Sequence, residues 1–332
     1  MKAMVMTRPG GPDVLKLVDM DKPAPAGDRD VLVRVHAAGV NPIDTKLRAR
    51  GTYGPSNENV ILGCDGAGVV EAVGSAVRDF APGDAVFWCH GGIGLAPGTN
   101  AEYAVVPEHA LARKPESAGF VTAAAAPLVL ITAWESLFDR ARIREGQRVF
   151  VHAGAGGVGH VAVQLARIAG CRVAASVSSE EKARLARELG AEETILYRER
   201  DVARALLDWT DGAGVDAALD TVGGAAFGEL IPAVKVYGDL VSILQFPPDA
   251  DWKTARIRNL RLAQELMLTP MILGLDEGLR HQADILRRCA EWMDEGRLRV
   301  VVSEVLPLHE AARAHERIEA GGMTGKIVLK IA

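Results

Sequence analysis

Three hundred and thirty-two residues exceed one ordinary compact domain and suit two, at roughly one to two hundred residues each. With 48% hydrophobic and 24% charged residues and a net charge of −5, the composition argues against disorder and coiled coil. No basic stripe is present, so a nucleic-acid partner is disfavoured. Glycine is abundant at 35 residues and aromatics are scarce at 5%, which points to tight turns and close backbone approaches.

The opening Met1-Lys2-Ala3-Met4-Val5-Met6-Thr7-Arg8 has no apolar run of signal-peptide length. The longest apolar stretch, Ala123 to Trp134, is broken by Pro127 and is shorter than the roughly 20 residues of a membrane span. Cysteines at 64, 89, 171 and 289 form no close pair, so neither a disulfide framework nor a four-cysteine zinc is expected. The expectation is a soluble, reduced, cytoplasmic protein.

The first 115 or so residues read as short strands between turns. Val31–Val35, Gly68–Val73, Asp84–Phe87 and Ala101–Val106 are the clearest strands, and Pro9-Gly10-Gly11-Pro12, Pro23-Ala24-Pro25 and Ala81-Pro82-Gly83-Asp84 are turn signals. A partly open β-barrel is predicted. After Thr122 strands and helices alternate: Gln147–His152 and a helix to Ala169, Arg172–Val177 and a helix to Leu189, Glu193–Tyr197 and a helix to Trp209, then Val215–Asp220 and Asp239–Leu244. Parallel neighbours need crossover helices, so this alternation predicts a parallel sheet. A mixed tail follows, with a helix over Leu279–Asp294, a strand at Arg299–Glu304, a helix at Leu308–Glu319 and a last strand at Gly325–Ile331.

Gly154-Ala155-Gly156-Gly157-Val158-Gly159 fits the glycine loop of a dinucleotide site. An apolar strand, Arg148-Val149-Phe150-Val151, enters it, and an apolar-periodic helix leaves it. In such a loop the first glycine permits the turn, the second lets backbone approach a pyrophosphate, and the third lets helix pack on sheet. Helix N–H groups and the helix dipole then face the phosphates. A cofactor without a 2′-phosphate usually meets an acid at the end of the next strand. Here Ser176-Val177 gives way to Ser178-Ser179-Glu180-Glu181-Lys182, with hydroxyls and Lys182 suited to a phosphate; NADPH is the expected cofactor. Ser178-x-x-Glu181 is also a capping box, and capping and phosphate binding can coexist.

The ordered set Gly39-Val40-Asn41-Pro42-Ile43-Asp44, Gly63-Cys64-Asp65-Gly66-Ala67-Gly68-Val69-Val70, Gly83-Asp84-Ala85-Val86, Thr99-Asn100-Ala101-Glu102-Tyr103, the glycine loop and Gly325-Lys326-Ile327-Val328-Leu329 resembles the medium-chain dehydrogenase/reductase superfamily. More narrowly it resembles the zinc-independent quinone oxidoreductase (ζ-crystallin-like) branch. The resemblance implies an α/β protein: a GroES-like β-barrel catalytic domain over 1–122 and 271–332, and a Rossmann doubly wound parallel sheet over 123–270. It further implies an active site in the cleft between them, and a homodimer formed through the edges of the Rossmann sheets.

Zinc-dependent alcohol dehydrogenases of the superfamily ligate catalytic zinc through a Cys, a His-Glu pair and a second Cys. The matching positions are Asn41, Cys64-Asp65 and Leu128. Neither Asn41 nor Leu128 supplies a thiolate, so no metal is expected there. A rearranged site would have to draw on Cys64, Asp65, Cys89 and His90; the plainer reading is a buried thiol and a loop histidine.

Without a metal, a quinone or α,β-unsaturated carbonyl is the expected small-molecule substrate, because conjugation spreads the charge left by hydride addition. The resemblance gives Tyr53 as the proton donor, with water as the other source, and Asn41 as the group orienting nicotinamide or substrate. It places Thr132 near the nicotinamide ribose and Lys182 and Tyr197 at the 2′-phosphate. Ser176, Ser178, Val222, Leu244, Phe246 and Lys326 complete the expected cofactor set with the glycine loop. Cys64, Trp88 and Leu128 are candidate pocket walls, and each can equally be core. A zinc-dependent alcohol dehydrogenase and an NADPH-binding protein with a structural or regulatory role are the alternatives.

Overall fold

The computed structural model describes all residues, 1–332. The chain divides into two compact units, Met1–Leu128 with Leu268–Ala332, and Val129–Met267; the boundaries expected at 122 and 270 fall a few residues away.

The first unit is organised by one long strand, Asp30–Val40, which pairs antiparallel with Lys326–Lys330, Asp65–Val73 and Tyr103–Pro107. The seven-stranded sheet runs Val302–Pro307, Lys326–Lys330, Asp30–Val40, Asp65–Val73, Ala85–Cys89 and Leu111–Arg113, with Tyr103–Pro107 paired to the long strand off this path. Two register shifts against Asp65–Val73, between Leu32 and Val33 and between Val35 and Ala37, bend the long strand; bulges increase local twist and let a sheet curl. Glycine is required at this bend: a Cβ on Gly68 would lie 2.1 Å from the Arg34 carbonyl oxygen. A second sheet joins Leu15–Asp19, Lys2–Met6 and Val60–Ile61. The strand expected at Arg299–Glu304 is found three residues later, at Val302–Pro307, where it pairs parallel to the last strand, Lys326–Lys330. The helix predicted from Leu308 begins as a 3-10 turn, Leu308–Glu310, and is α-helical over Ala311–Glu319.

The second unit is a six-stranded parallel sheet in the order Glu193–Leu196, Arg172–Val177, Arg148–Val151, Val215–Asp220, Val234–Ser242, Arg261–Gln264. In sequence terms this is 3-2-1-4-5-6, the doubly wound dinucleotide-binding order. Strand order reverses between Arg148–Val151 and Val215–Asp220, so their C-terminal ends mark the place where such sheets take ligands. Valine and alanine dominate the central strands and are buried, as expected for a sheet covered on both faces. One side of the core gathers Phe150, Ala174, Ile195, Leu206, Phe227 and Leu240. The fifth strand begins at Val234, well before the Asp239 expected, and passes through Tyr237 at φ 64°. No helix of the protein is long and apolar enough to cross a membrane.

Candidate functional site

The glycine loop joins the strand Arg148–Val151 to the helix Gly159–Ile168. The tight turn is made one residue earlier than expected, by Ala153 at φ 49°. Gly154 serves packing instead: a Cβ there would lie 2.5 Å from Ala175 Cβ on the neighbouring strand. Gly159 is the most constrained of the set, since its Cβ would meet the Ala153 carbonyl oxygen at 2.1 Å. His160, the next residue, is fully buried and its Nδ1 lies 2.9 Å from the Gly156 carbonyl; it stabilises the loop from inside.

Beside this loop a cavity of about 710 Å³ opens, lined by His152, Ser176, Tyr197, Arg198, Arg200 and Val222 together with Glu199, Asp201 and Glu229. The second strand, Arg172–Val177, carries no acid at its end. Ser176 hydroxyl accepts from Ala153 N at 3.1 Å, which fixes the loop to the second strand. Of the expected cofactor residues, Ser176, Tyr197 and Val222 line this cavity, whereas Ser178 and Lys182 stand outside its lining. Arg198 and Arg200 were not anticipated. Arg200 is paired with Glu193 at 2.9 Å, and Asp201 caps the helix Val202–Trp209 through Arg204 N at 2.7 Å. The Arg198 guanidinium lies over the Tyr197 ring, 6.0 Å from its centroid. The expected capping box is also corrected: Ser179, not Ser178, is the N-cap, accepting from Lys182 N at 3.4 Å.

Asp220 holds this end of the sheet together. Its buried carboxylate accepts from Val222 N (3.0 Å), Gly223 N (2.9 Å) and Ser242 Oγ (2.7 Å), and lies 3.1 Å from His152 Nδ1. Burial alone would raise the Asp220 pKa; the bonds to His152, Gly223, Ser242 and Val222 outweigh it and hold it low. Three adjacent strand ends are thereby tied to one carboxylate. Leu244 N bonds Ser242 Oγ at 3.1 Å, which extends the tie into the next loop. Phe246, expected at the cofactor, packs with Phe227 and Trp252 at ring distances of 5.0 and 5.9 Å. Thr132 is buried within the helix Pro127–Trp134.

In the first unit the two expected catalytic residues differ in exposure. Tyr53 is 47% exposed on its loop, held by a backbone bond from its N to Ile93 O at 2.9 Å. Asn41 is fully buried. Its Nδ2 donates to Asp65 Oδ2 at 2.9 Å, and its Oδ1 accepts from the Lys326 ammonium. Both ends of the amide are therefore engaged inside the protein. Asp65 Oδ1 accepts from Leu128 N at 2.8 Å, and Asp65 Oδ2 lies 3.6 Å from Lys326 Nζ. Asp44 Oδ2 accepts from Asn41 N at 2.8 Å and starts the helix Pro42–Arg50. Burial pushes Asp44 up to about 7 and also raises Asp65. Lys326, expected at the cofactor, is only 3% exposed and belongs to this cluster.

Cys64 and Cys89 are both buried and free, and their thiols hydrogen-bond each other. That bond and burial together push the Cys89 thiol well above its ordinary value. Trp88 is completely buried, and its ring fills the space that a Cβ on Gly66 would take, at 2.3 Å; it is core packing and not an open pocket wall. Leu128 is likewise buried. A catalytic zinc does not fit these residues. The positions offer an amide, a leucine, a carboxylate already bonded twice and a mutually bonded thiol pair, with an ammonium beside them. No group of three or more His, Cys, Asp or Glu side chains is placed to hold a metal ion. His90, the fourth donor considered, is half-buried; desolvation pushes it down to about 4, and its Nδ1 has no bond partner.

Residues 27–116 match the alcohol dehydrogenase GroES-like domain family, and residues 189–329 match the zinc-binding dehydrogenase family. The quinone oxidoreductase of Pseudomonas aeruginosa is 38% identical over 326 residues, covering 96% of each chain. An alcohol dehydrogenase superfamily protein from Novosphingobium aromaticivorans superposes with a TM-score of 0.93 at 33% identity, over 100% of both chains. Escherichia coli quinone oxidoreductase, solved in complex with NADPH, gives 0.86 at 27% identity over 99% of this chain and 100% of that one. The glycine loop, the 3-2-1-4-5-6 sheet and these full-length likenesses agree: the chain belongs to the medium-chain dehydrogenase/reductase superfamily, in its quinone oxidoreductase branch.

Proposed function

We propose that the protein is an NADPH-dependent reductase of quinones or α,β-unsaturated carbonyls that works without zinc. The observation carrying this reading is the cavity at the reversal point of the parallel sheet. It is lined by His152 and Ala153, which lead into the glycine loop, and by Tyr197, Arg198 and Arg200. Such residues fit a dinucleotide whose adenosine end carries an extra phosphate, since guanidinium groups recognise phosphate through paired N–H donors. The missing acid after the second strand points the same way. Relatives named quinone oxidoreductases, one of them solved with NADPH, support both parts of the reading.

When bound, the reduced nicotinamide supplies a hydride. The chain's own work is to hold it and to accept the charge that results. The Asp220 carboxylate fixes His152, Val222-Gly223 and Ser242, so the groups around the cofactor are set before it arrives. Preorganisation of this kind lowers the cost of binding. A conjugated acceptor delocalises the incoming negative charge, and a few hydrogen bonds, each worth ~3 kcal/mol when preorganised, then replace a Lewis acid. The closing proton comes from Tyr53 or from water. Tyr53→Phe separates the two: a large drop in kcat assigns the proton to the phenol, and a small one assigns it to water.

The test is steady-state oxidation of NADPH and of NADH with a panel of quinones, enones, aldehydes and alcohols. Faster turnover of NADPH with quinones or enones is expected. Tight NADPH binding without oxidation across the panel would favour a binding protein, and zinc-dependent alcohol oxidation would favour a metal dehydrogenase.

A further inference from the structure

Lys326 opens the strand Lys326–Lys330, whose antiparallel register pairs Ile327 with Val40. One step on, that register sets Lys326 opposite Asn41, and the ammonium bonds the Asn41 amide oxygen. Asp65 opens its own strand on the other side, paired with Gly39 and with Cys89. Three strands therefore deliver an ammonium, an amide and a carboxylate to one buried point, with Asp44 bonded to the backbone of Asn41. A buried ammonium without a partner is costly, and so is a buried carboxylate. Here each is the other's compensation: the charges are 3.6 Å apart and share the Asn41 amide, which bonds both.

We infer that Lys326 is the built-in cation of this chain, balancing Asp65 where zinc-dependent members of the superfamily carry a metal, and that it acts as a positioning residue for the Asn41 amide and the segment Asn41-Pro42 that starts a helix. A fixed ammonium satisfies the carboxylate and leaves no charge deficit for a dication to fill. The amide is pinned from both ends, so its orientation is set by charge and not by packing alone. In its bearing on turnover the inference rests on the reductase reading; in its bearing on charge balance it does not.

The experiment compares Lys326→Met, Lys326→Gln, Lys326→Arg, Asp65→Asn and the pair Lys326→Met with Asp65→Asn in the full-length protein. Chemical denaturation midpoints, NADPH dissociation constants and quinone turnover are read for each. The charged variant Lys326→Arg is expected to keep most of the midpoint. Lys326→Met and Lys326→Gln are expected to lose it alike, and removing Asp65's charge as well should recover more than half of the loss. Turnover of Lys326→Gln should fall at least about tenfold, while its NADPH dissociation constant stays within about twofold. Equal loss in Arg, Gln and Met variants, with no recovery in the double variant, would reduce Lys326 to packing and overturn the inference. Loss of NADPH affinity in step with turnover would make Lys326 a cofactor ligand, and would overturn it too. Absence of quinone turnover in the parent protein would fail the reductase reading, and the denaturation cycle would still decide the charge balance.

Discussion

Replacing Asp220 with alanine removes the acceptor of four hydrogen bonds at once: two backbone N–H groups, a hydroxyl and an imidazole nitrogen, at 2.7 to 3.1 Å. Bonds to a charged acceptor contribute about 1.5–3 kcal/mol each, and a buried donor left unmade costs ~1–3 kcal/mol. These terms are not additive, because the loops relax and water enters, so a loss on the order of 4 kcal/mol is expected. Asp220→Asn keeps one carbonyl oxygen for the backbone donors and turns its NH₂ toward Ser242 Oγ, which can accept; about 1–2 kcal/mol should go. Since His152 and Val222 line the cavity, the alanine variant should also weaken dinucleotide binding by about tenfold or more. Urea denaturation and a fluorescence titration with NADPH measure both. An alanine variant as stable as the asparagine variant, with unchanged affinity, would refute the reasoning that one carboxylate organises three strand ends.

Gly159→Ala drives a Cβ to 2.1 Å from a carbonyl oxygen and should cost ~3 kcal/mol or more. Gly119→Ala, with nothing within 4 Å of its Cβ, should stay within about 0.5 kcal/mol in the same denaturation assay. Arg198→Ala should weaken NADPH by about tenfold while leaving NADH nearly unchanged. Lys182→Ala should shift that preference less, because Lys182 stands outside the cavity lining; equal weakening of both dinucleotides in the arginine variant would remove Arg198 from the phosphate site. His315 is fully buried with neither ring nitrogen bonded, and burial, then Arg48, pushes it down to about 3. Its folded pKa lies below the unfolded 6.5, so the stability it contributes is present above pH 6.5 and is lost as pH falls toward about 3. The slope is about 1.4 kcal/mol per pH unit within that window. His315→Leu should flatten the acid side of the stability curve by one proton, and an unchanged slope would contradict this.

The α/β half was legible because its signals are local. Alternating strands and helices, apolar runs and a glycine loop between them are all read within a few residues, and Arg172–Val177 and Val215–Asp220 are found where expected. The fifth strand is longer than its sequence pattern suggests because Tyr237 and Gly238 interrupt that pattern. The edge strand Arg261–Gln264 was missed because an edge needs no continuous apolar run. What distance in sequence hides is pairing. Nothing in sequence near Asn41 announces that Lys326, 285 residues away, bonds its amide oxygen. Asp220 read as the last residue of a strand, although an acid ending an apolar strand beside a glycine loop was a usable signal. Nothing in the sequence marks Arg198 and Arg200 as lining the cavity, because that depends on where the third strand ends in space.

The central claim is hydride transfer to a conjugated acceptor in a protein that carries its own cation. Protein dialysed against a strong chelator, its metal content counted, should oxidise NADPH with a simple benzoquinone as fast as untreated protein, and added zinc should bring no gain. Activity that disappears with a stoichiometric metal and returns when that metal is restored would contradict the account.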